Sequence, residues 1–510
     1  MKLLPERRKS LIRNVSGAPS AALARRADAL LILVPAGSAT PFAGLSFADF
    51  LHRERARLPR AAGTCWSTGG PGPRACRIVV GELPAEAEPF AQLTLAAQMV
   101  RELVASEPGV VVLAALRAGG GASPEEAPVG ALLAALLAAT ESRPTAKSKP
   151  PRAWAPAEIV VSGRIDVRTA AAVEDGAHLA RWLTALPPNV LFPASYRRAL
   201  ATLAKRHGWR MSTWNERSLR RQGAGAFTAV ARGSRDRDAA LVRLEYRPRR
   251  APRGARPIAL VGKGICFDTG GHNLKTAKSM YDMHIDMAGS AVAVGALQAL
   301  SDCGYPRPVD AWLALAENRI GPDAYTQQDV VTAANGVTIQ VAHTDAEGRM
   351  VLADTLALAS RTSPACIVDF ATLTGACVYA LTERMSGAFT NTPALREPLE
   401  AAGARSGERV WCFPTPADFD QDLDSPVADV VQCLLDGKGD HIYAARFLSK
   451  FVGKGIPWAH VDLSSASRAG GLAHVTSTLT GFGVRFTLAL LADEGFHRAL
   501  KPRRAARRRA

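Results

Sequence analysis

Val341-Ala342-His343-Thr344-Asp345-Ala346-Glu347-Gly348-Arg349 carries two carboxylates two residues apart, then a glycine and a guanidinium. Upstream, Val337-Thr338-Ile339-Gln340-Val341 alternates as a strand does, and downstream Met350 to Ser360 reads as an apolar helix. The acids are thus expected at the carboxyl end of a strand, where open α/β sheets build their ligand sites. A lone Asp-x-Glu is usually a solvated turn, so the weight of the segment depends on what joins it.

Two other segments do. Ile258-Ala259-Leu260-Val261 reads as a buried strand and runs into Gly262-Lys263-Gly264-Ile265-Cys266-Phe267-Asp268-Thr269-Gly270-Gly271-His272-Asn273-Leu274-Lys275. Four glycines around one Lys and one Asp predict a backbone bent tightly to bring those side chains to one point. Met283-His284-Ile285-Asp286-Met287-Ala288-Gly289-Ser290-Ala291 puts an Asp at the head of a small-residue helix. Asp268, Asp286, Asp345 and Glu347 would then gather with Lys263, Lys275 and Arg349. Clustered carboxylates repel one another and take up protons unless cations compensate them, so a binuclear divalent metal site is the natural explanation. Asp282, four residues before Asp286, reads as a solvated or capping acid.

These segments resemble the leucyl aminopeptidases of the cytosolic, two-metal type, peptidase family M17. The family hallmark Asn-Thr-Asp-Ala-Glu-Gly-Arg is met with His343 for the Asn, and its Val-Gly-Lys-Gly and Phe-Asp-Ser-Gly-Gly segments with Thr269 for the Ser. The likeness continues through Ala371-Thr372-Leu373-Thr374-Gly375-Ala376, Trp458-Ala459-His460-Val461-Asp462 and Thr480-Gly481-Phe482-Gly483-Val484-Arg485, covering Ala180 to Leu490. The resemblance implies that Lys263, Asp268, Asp286 and Glu347 hold one metal and Asp268, Asp345 and Glu347 the other, each Zn or Mn, with Mg a further candidate. It implies that Lys275 stabilises the oxyanion, that Arg349 holds a bicarbonate acting as general base, and that Met283, Thr372 and Gly375 line a pocket for a Leu-like side chain. It also implies a free α-amine on short peptide substrates, and a cytoplasmic homohexamer.

Length and composition agree. At 510 residues and 47% hydrophobic, the chain can bury two cores. The expected fold is α/β with two domains: a smaller N-terminal α/β domain over residues 1–150, and a larger catalytic domain over 151–495 with a central mixed, mostly parallel sheet. Leu31–Val34, Arg77–Val80 and Val110–Leu113 read as strands of the first, Phe90–Leu103 and Val129–Ala139 as its helices, and the polar, Pro-rich Glu141–Pro151 as the linker. No run of 18 apolar residues or secretory h-region is found, so no membrane span is expected. Eight cysteines without a Cys-x-x-Cys pair read as buried thiols of a reducing compartment.

The charge of +17 sits largely at the ends. Residues 1–26 carry a net +6 and residues 497–510 a net +7, and Arg243, Arg247, Arg249, Arg250, Arg253 and Arg256 form another basic run. Solvated tails are the plain explanation; nonspecific contact of the tails with nucleic acid is the other. His284 and His460 read as packing or supporting residues, and the role of His343 stays open. Besides an aminopeptidase, two alternatives stand at this point: a DNA-binding protein on the same fold, and a scaffold with weak or no peptidase activity, for which His343, Thr276, Ala288, Ser290 and Ser464-Ser465 are departures from the family pattern.

Overall fold

Valine-, isoleucine- and leucine-rich runs alternate with helical segments along most of the chain, the pattern that buries strands on both faces. The computed structural model describes residues 1–500 apart from 7–9, 59–60, 71–75, 120, 124 and 150–153. The basic tail from residue 501 and the linker prolines Pro150 and Pro151 lie outside the described residues.

The first sheet contains β1 (Leu11–Val15), β2 (Ala29–Pro35), β3 (Cys65–Gly69), β4 (Arg77–Leu83), β5 (Val110–Ala115) and β6 (Glu158–Ser162), in the order β1-β6-β5-β2-β4-β3. All neighbours are parallel except β3 on β4. The helices Pro89–Val104 and Glu126–Ala139 bury their leucines against it. Because β6 lies between β1 and β5, this layer extends beyond the boundary expected at residue 150.

Next come β7 (Arg210–Asn215), β8 (Ala240–Tyr246), β9 (Ile258–Asp268), β10 (Val309–Asn318), β11 (Val330–Thr332), β12 (Thr338–Gln340), β13 (Cys366–Ala371), β14 (Ser386–Thr390), β15 (Val410–Cys412), β16 (Val430–Val431) and β17 (Trp458–Asp462). Eight of them form a mixed sheet ordered β15-β14-β17-β13-β9-β10-β8-β7. Its centre, β17-β13-β9-β10, is parallel, and antiparallel pairing begins at β14 on one side and β8 on the other.

Three local expectations are corrected. β12 belongs to a separate three-stranded sheet, β11-β12-β16, so the acid loop does not follow a strand of the main sheet. The helix after it begins at Glu347 rather than Met350. The Gly-Lys-Gly segment is not a bend either, because β9 runs straight through it to Asp268. Gly262 serves close approach: a Cβ there would stand 2.5 Å from the Gly289 carbonyl oxygen, and one on Gly289 would stand 2.1 Å from that of Phe370. These absent side chains let the helix Ala288–Asp302 rest on the backbones of β9 and β13, which sets Asp286 over their carboxyl ends. Val292, Leu297 and Leu300 of this helix are buried in the core, each contributing about 1.5–3 kcal/mol by leaving water. The bend comes later, at Gly270 and Gly271, with φ of 85° and 61°.

The two layers are joined by buried ions. Glu174 receives Arg485 Nη1 at 2.6 Å and His474 Nε2 at 3.2 Å, and Arg181 reaches Glu141 at 2.5 Å. Glu141, the first residue of the expected linker, is therefore packed, and the Ser142 carbonyl is met by His178 Nε2 at 2.9 Å.

Candidate metal centre

Asp268 ends β9, and its Oδ1 accepts from the Gly270 amide at 2.8 Å and from Asn318 Nδ2, at the end of β10, at 2.9 Å. Asp286 comes from the turn before the helix Ala288–Asp302, with Oδ1 accepting from Thr372 Oγ1, just past β13, at 2.8 Å. Glu347 is the first residue of its helix, where the positive end of the dipole faces a carboxylate. Ligand atoms of Asp268, Asp286 and Glu347 lie within 4.8 Å of one another, and all three residues are buried.

The two lysines thread this cluster. Lys263 Nζ lies 2.9 Å from Asp286 Oδ1 and 3.0 Å from Glu347 Oε1, while Lys275 Nζ lies 3.0 Å from Asp268 Oδ2 and 2.5 Å from Asp345 Oδ1. Asp345 thus joins through Lys275. Gly348 makes room: a Cβ there would stand 2.5 Å from Lys263 Nζ. A clamp holds the two acid loops together, with Asn273 Oδ1 accepting from the Thr344 amide at 2.8 Å and Thr344 Oγ1 donating to the Gly270 carbonyl at 2.7 Å.

Four acids against two lysines leave negative charge in excess. Burial, with Asp268 adding to it for Glu347, pushes Asp286 and Glu347 up to about 7, and burial followed by Asp268 pushes Asp345 up to about 6. Burial opposes the charge of both lysines, yet the surrounding carboxylates outweigh it and hold them above the usual lysine range. Asp286 Oδ2 and Glu347 Oε2 are buried without a hydrogen-bond partner. Buried carboxylate oxygens lacking donors, in a set made of oxygens and amines, fit divalent cations.

Arg349 is buried two residues after Glu347, and its guanidinium is taken. Nη2 lies 2.8 Å from each carboxylate oxygen of Asp440, and Nη1 donates to the Gln432 carbonyl at 3.2 Å. The position that the resemblance allots to bicarbonate thus faces a carboxylate of the chain itself. Met283 and Thr372 flank Asp286, and Gly375 opens the helix Gly375–Leu381 just past Thr372.

The histidines stay outside the cluster. His460 Nδ1 pairs with Asp369 Oδ1 at 2.5 Å in the core, His272 is exposed, and His343 Nδ1 accepts from the Asp345 amide at 3.2 Å. Burial, then Lys275 and Arg349, holds His343 below the usual histidine range. Asp282 is exposed. The eight cysteines are free. In the basic run, Arg243 and Arg247 are spent on Asp310, at 2.6 and 2.5 Å, while Arg249, Arg250, Arg253 and Arg256 are exposed. Among the described residues, no helix is long and apolar enough to cross a membrane. A cleft of about 820 Å³ lies against the first sheet between Leu30, Phe50 and Ile78, away from the acids.

Asn318, Thr344, Gln432 and Asp440 were not foreseen. Gln432 ties the acid loop down, its Oε1 accepting from the His343 amide at 3.0 Å and its Nε2 donating to the Ala346 carbonyl at 2.9 Å. Asn318 could have been suspected as a polar residue closing an apolar strand; Gln432 and Asp440 lie too far along the chain to signal.

The cytosol aminopeptidase family model, for its catalytic domain, matches residues 178–488. A probable cytosol aminopeptidase of Parasynechococcus marenigrum (strain WH8102) is 42% identical over 320 residues, 62% of this chain and 64% of that protein. One of Corynebacterium diphtheriae is 38% identical over 323 residues, 63% of this chain and 64% of that protein. Both alignments thus span less than two thirds of the relatives' own length. The structure of the bottromycin maturation enzyme BotP in complex with Mn superposes with a TM-score of 0.78 at 31% identity, covering 92% of this chain and 99% of that one. With its catalytic-domain model matched over more than half of the chain, the protein belongs to the cytosol aminopeptidase family, peptidase family M17.

Proposed function

We propose that the protein is a metal-dependent aminopeptidase that releases apolar, Leu-like residues from the free amino end of short peptides. The observation that carries this is the acid-rich, buried cluster at the carboxyl ends of β9, β10 and β13, with two carboxylate oxygens that no donor meets. Lys263, Asp268, Asp286 and Glu347 would hold one divalent ion, and Asp268, Asp345 and Glu347 the other. Such a pair, when bound, polarises a carbonyl, acidifies water and receives a free α-amine. Manganese is the first ion to test, because the similar BotP structure holds it.

The remaining residues position and compensate. Lys275 is the cation available to a carbonyl oxygen that gains negative charge. Met283, Thr372 and Gly375 border the site where the first side chain would sit, and an apolar wall of this kind separates neighbouring aliphatic side chains by only ~1–3 kcal/mol per methylene. The same reading includes a homohexamer.

The test compares Leu-Gly-Gly with its N-acetylated form on manganese-loaded protein, with metal content measured in parallel. Stepwise release from the free peptide and no cleavage of the blocked one are expected. Internal cleavage of the blocked peptide, or hydrolysis by metal-free protein, would contradict the assignment.

A further inference from the structure

Asp440 is the first residue of the helix Asp440–Ser449, which packs on the start of the helix Glu347–Ser360 and on Gly375–Leu381. Gly439 at φ 63° turns the chain into it, and the helix's positive end favours a carboxylate there. The Arg349 side chain is 3% exposed and that of Asp440 23%, so the guanidinium lies behind the carboxylate and the carboxylate stays open to solvent.

The contact geometry leaves the carboxylate usable. A single nitrogen, Nη2, meets both oxygens, while Nη1 is held by Gln432 and Nε is buried without a partner. Each oxygen therefore keeps lone-pair capacity for a proton. Asp440 is tied to the acid loop by geometry: Arg349, two residues after Glu347, donates Nη1 to the Gln432 carbonyl, and Gln432 Oε1 accepts from the His343 amide. Other titratable groups around it are His343, His441, Cys433 and, through Arg349, Glu347.

We infer that Asp440 is the general base of the hydrolysis, seated on Arg349 by the chain itself, so that no exogenous carbonate-type anion is required. The inference rests on the aminopeptidase reading above. As the water oxygen bonds to the scissile carbonyl carbon, one of its protons passes to a carboxylate oxygen of Asp440. As the C–N bond breaks, that proton passes to the departing nitrogen, which leaves as a free amine and returns Asp440 to its ionised form.

The test uses the full chain, loaded with manganese, and leucyl-p-nitroanilide in carbonate-depleted buffer with and without added bicarbonate. The native rate is expected not to respond to bicarbonate. Asp440→Asn, which still offers Arg349 an acceptor oxygen, is expected to lower kcat by ~10²-fold or more with KM and metal content little changed. Asp440→Ala is expected to regain rate with formate or bicarbonate, a rescue that a merely structural residue would not give. A second readout needs no turnover: the ¹³C resonance of bicarbonate should broaden with Asp440→Ala and not with native protein. Stimulation or binding of bicarbonate in the native protein, or native kcat in a folded Asp440→Asn, would overturn the inference. If the native loaded protein hydrolyses nothing, the aminopeptidase reading fails, and the bicarbonate resonance still decides whether Asp440 fills the anion position.

Discussion

Glu174 and Glu347 are both closed off from water, yet their surroundings are opposite. Around Glu174, Arg485 and His474 supply donors and Arg181 adds a third positive side chain 3.7 Å away, and although burial opposes ionisation, these partners hold the carboxyl below the usual glutamate range. Around Glu347, acids outnumber cations, Oε2 has no donor, and burial with Asp268 pushes the carboxyl up to about 7. A charge-balanced, satisfied cluster is explained by the fold it joins. An acid-rich, unsatisfied one costs folding free energy in the metal-free chain and is explained only by something that binds it.

Mutations should separate the two in kind. Glu347→Ala or Asp268→Ala is expected to abolish peptide hydrolysis and lower bound metal together, while the metal-free protein keeps or gains thermal stability because a repelling charge has gone. Turnover at the native rate in either variant would remove them from the metal centre. Lys275→Ala should keep its metal and lose ~10²–10³-fold in kcat, as removal of an oxyanion donor does. Loss of metal in that variant, measured by elemental analysis, would exchange the assigned roles of the two lysines.

Glu174→Ala should do the reverse of Glu347→Ala: leave metal content intact and cost ~3–5 kcal/mol of stability, because Arg181 and Arg485 would lose a buried counter-ion. Denaturant unfolding of the metal-loaded variant checks this. A destabilisation below ~1 kcal/mol would put the pair in the class of surface ion pairs and void the contrast.

The acid-rich cluster was legible because its chemistry is local. Asp345 and Glu347 are two residues apart, Lys263 and Asp268 share one segment, and each acid type narrows what can sit beside it. What the pattern did not reveal was the geometry underneath. Gly262 resembles a turn residue in sequence, and only the packing of Gly289 against it explains why a strand needs glycine there. The balanced cluster was illegible for a different reason: Glu174 and His474 are 300 residues apart, and neither stands in a pattern that points to the other. Asp440 illustrates both limits, since a lone Asp after Gly-Lys-Gly reads as a solvated turn until Arg349, 91 residues upstream, is found on its carboxylate. The order of the eight-stranded sheet, with β9 between β13 and β10, was likewise beyond reach, because it is fixed by crossovers rather than by any one segment.

The smallest effect expected is a slope with opposite sign in the two clusters. A carboxyl whose folded-state pKa is raised binds more protons folded than unfolded, so its stabilising contribution is present below the ordinary value and lost as pH rises through the raised one. For Asp286, Asp345 and Glu347 that window runs from the usual 3.8 to 4.5 up to about 6 to 7. Glu174 is shifted downward, so its contribution is present above 4.5 and lost as pH falls below it. In chelator, the melting temperature should therefore fall as pH is raised from about 4.5 to about 7.5. Asp354 and Glu408, both pushed up to about 7 by burial, give the same sign without any link to metal, so the chelator curve alone does not isolate the centre. The difference between chelator and manganese does, because bound metal competes with protons for Asp286, Asp345 and Glu347 and leaves the other two untouched. Metal stabilisation should grow across this window and shrink in Glu347→Gln. A manganese-induced rise in melting temperature of equal size at pH 4.5 and 7.5 would mean that the ion binds somewhere other than these acids.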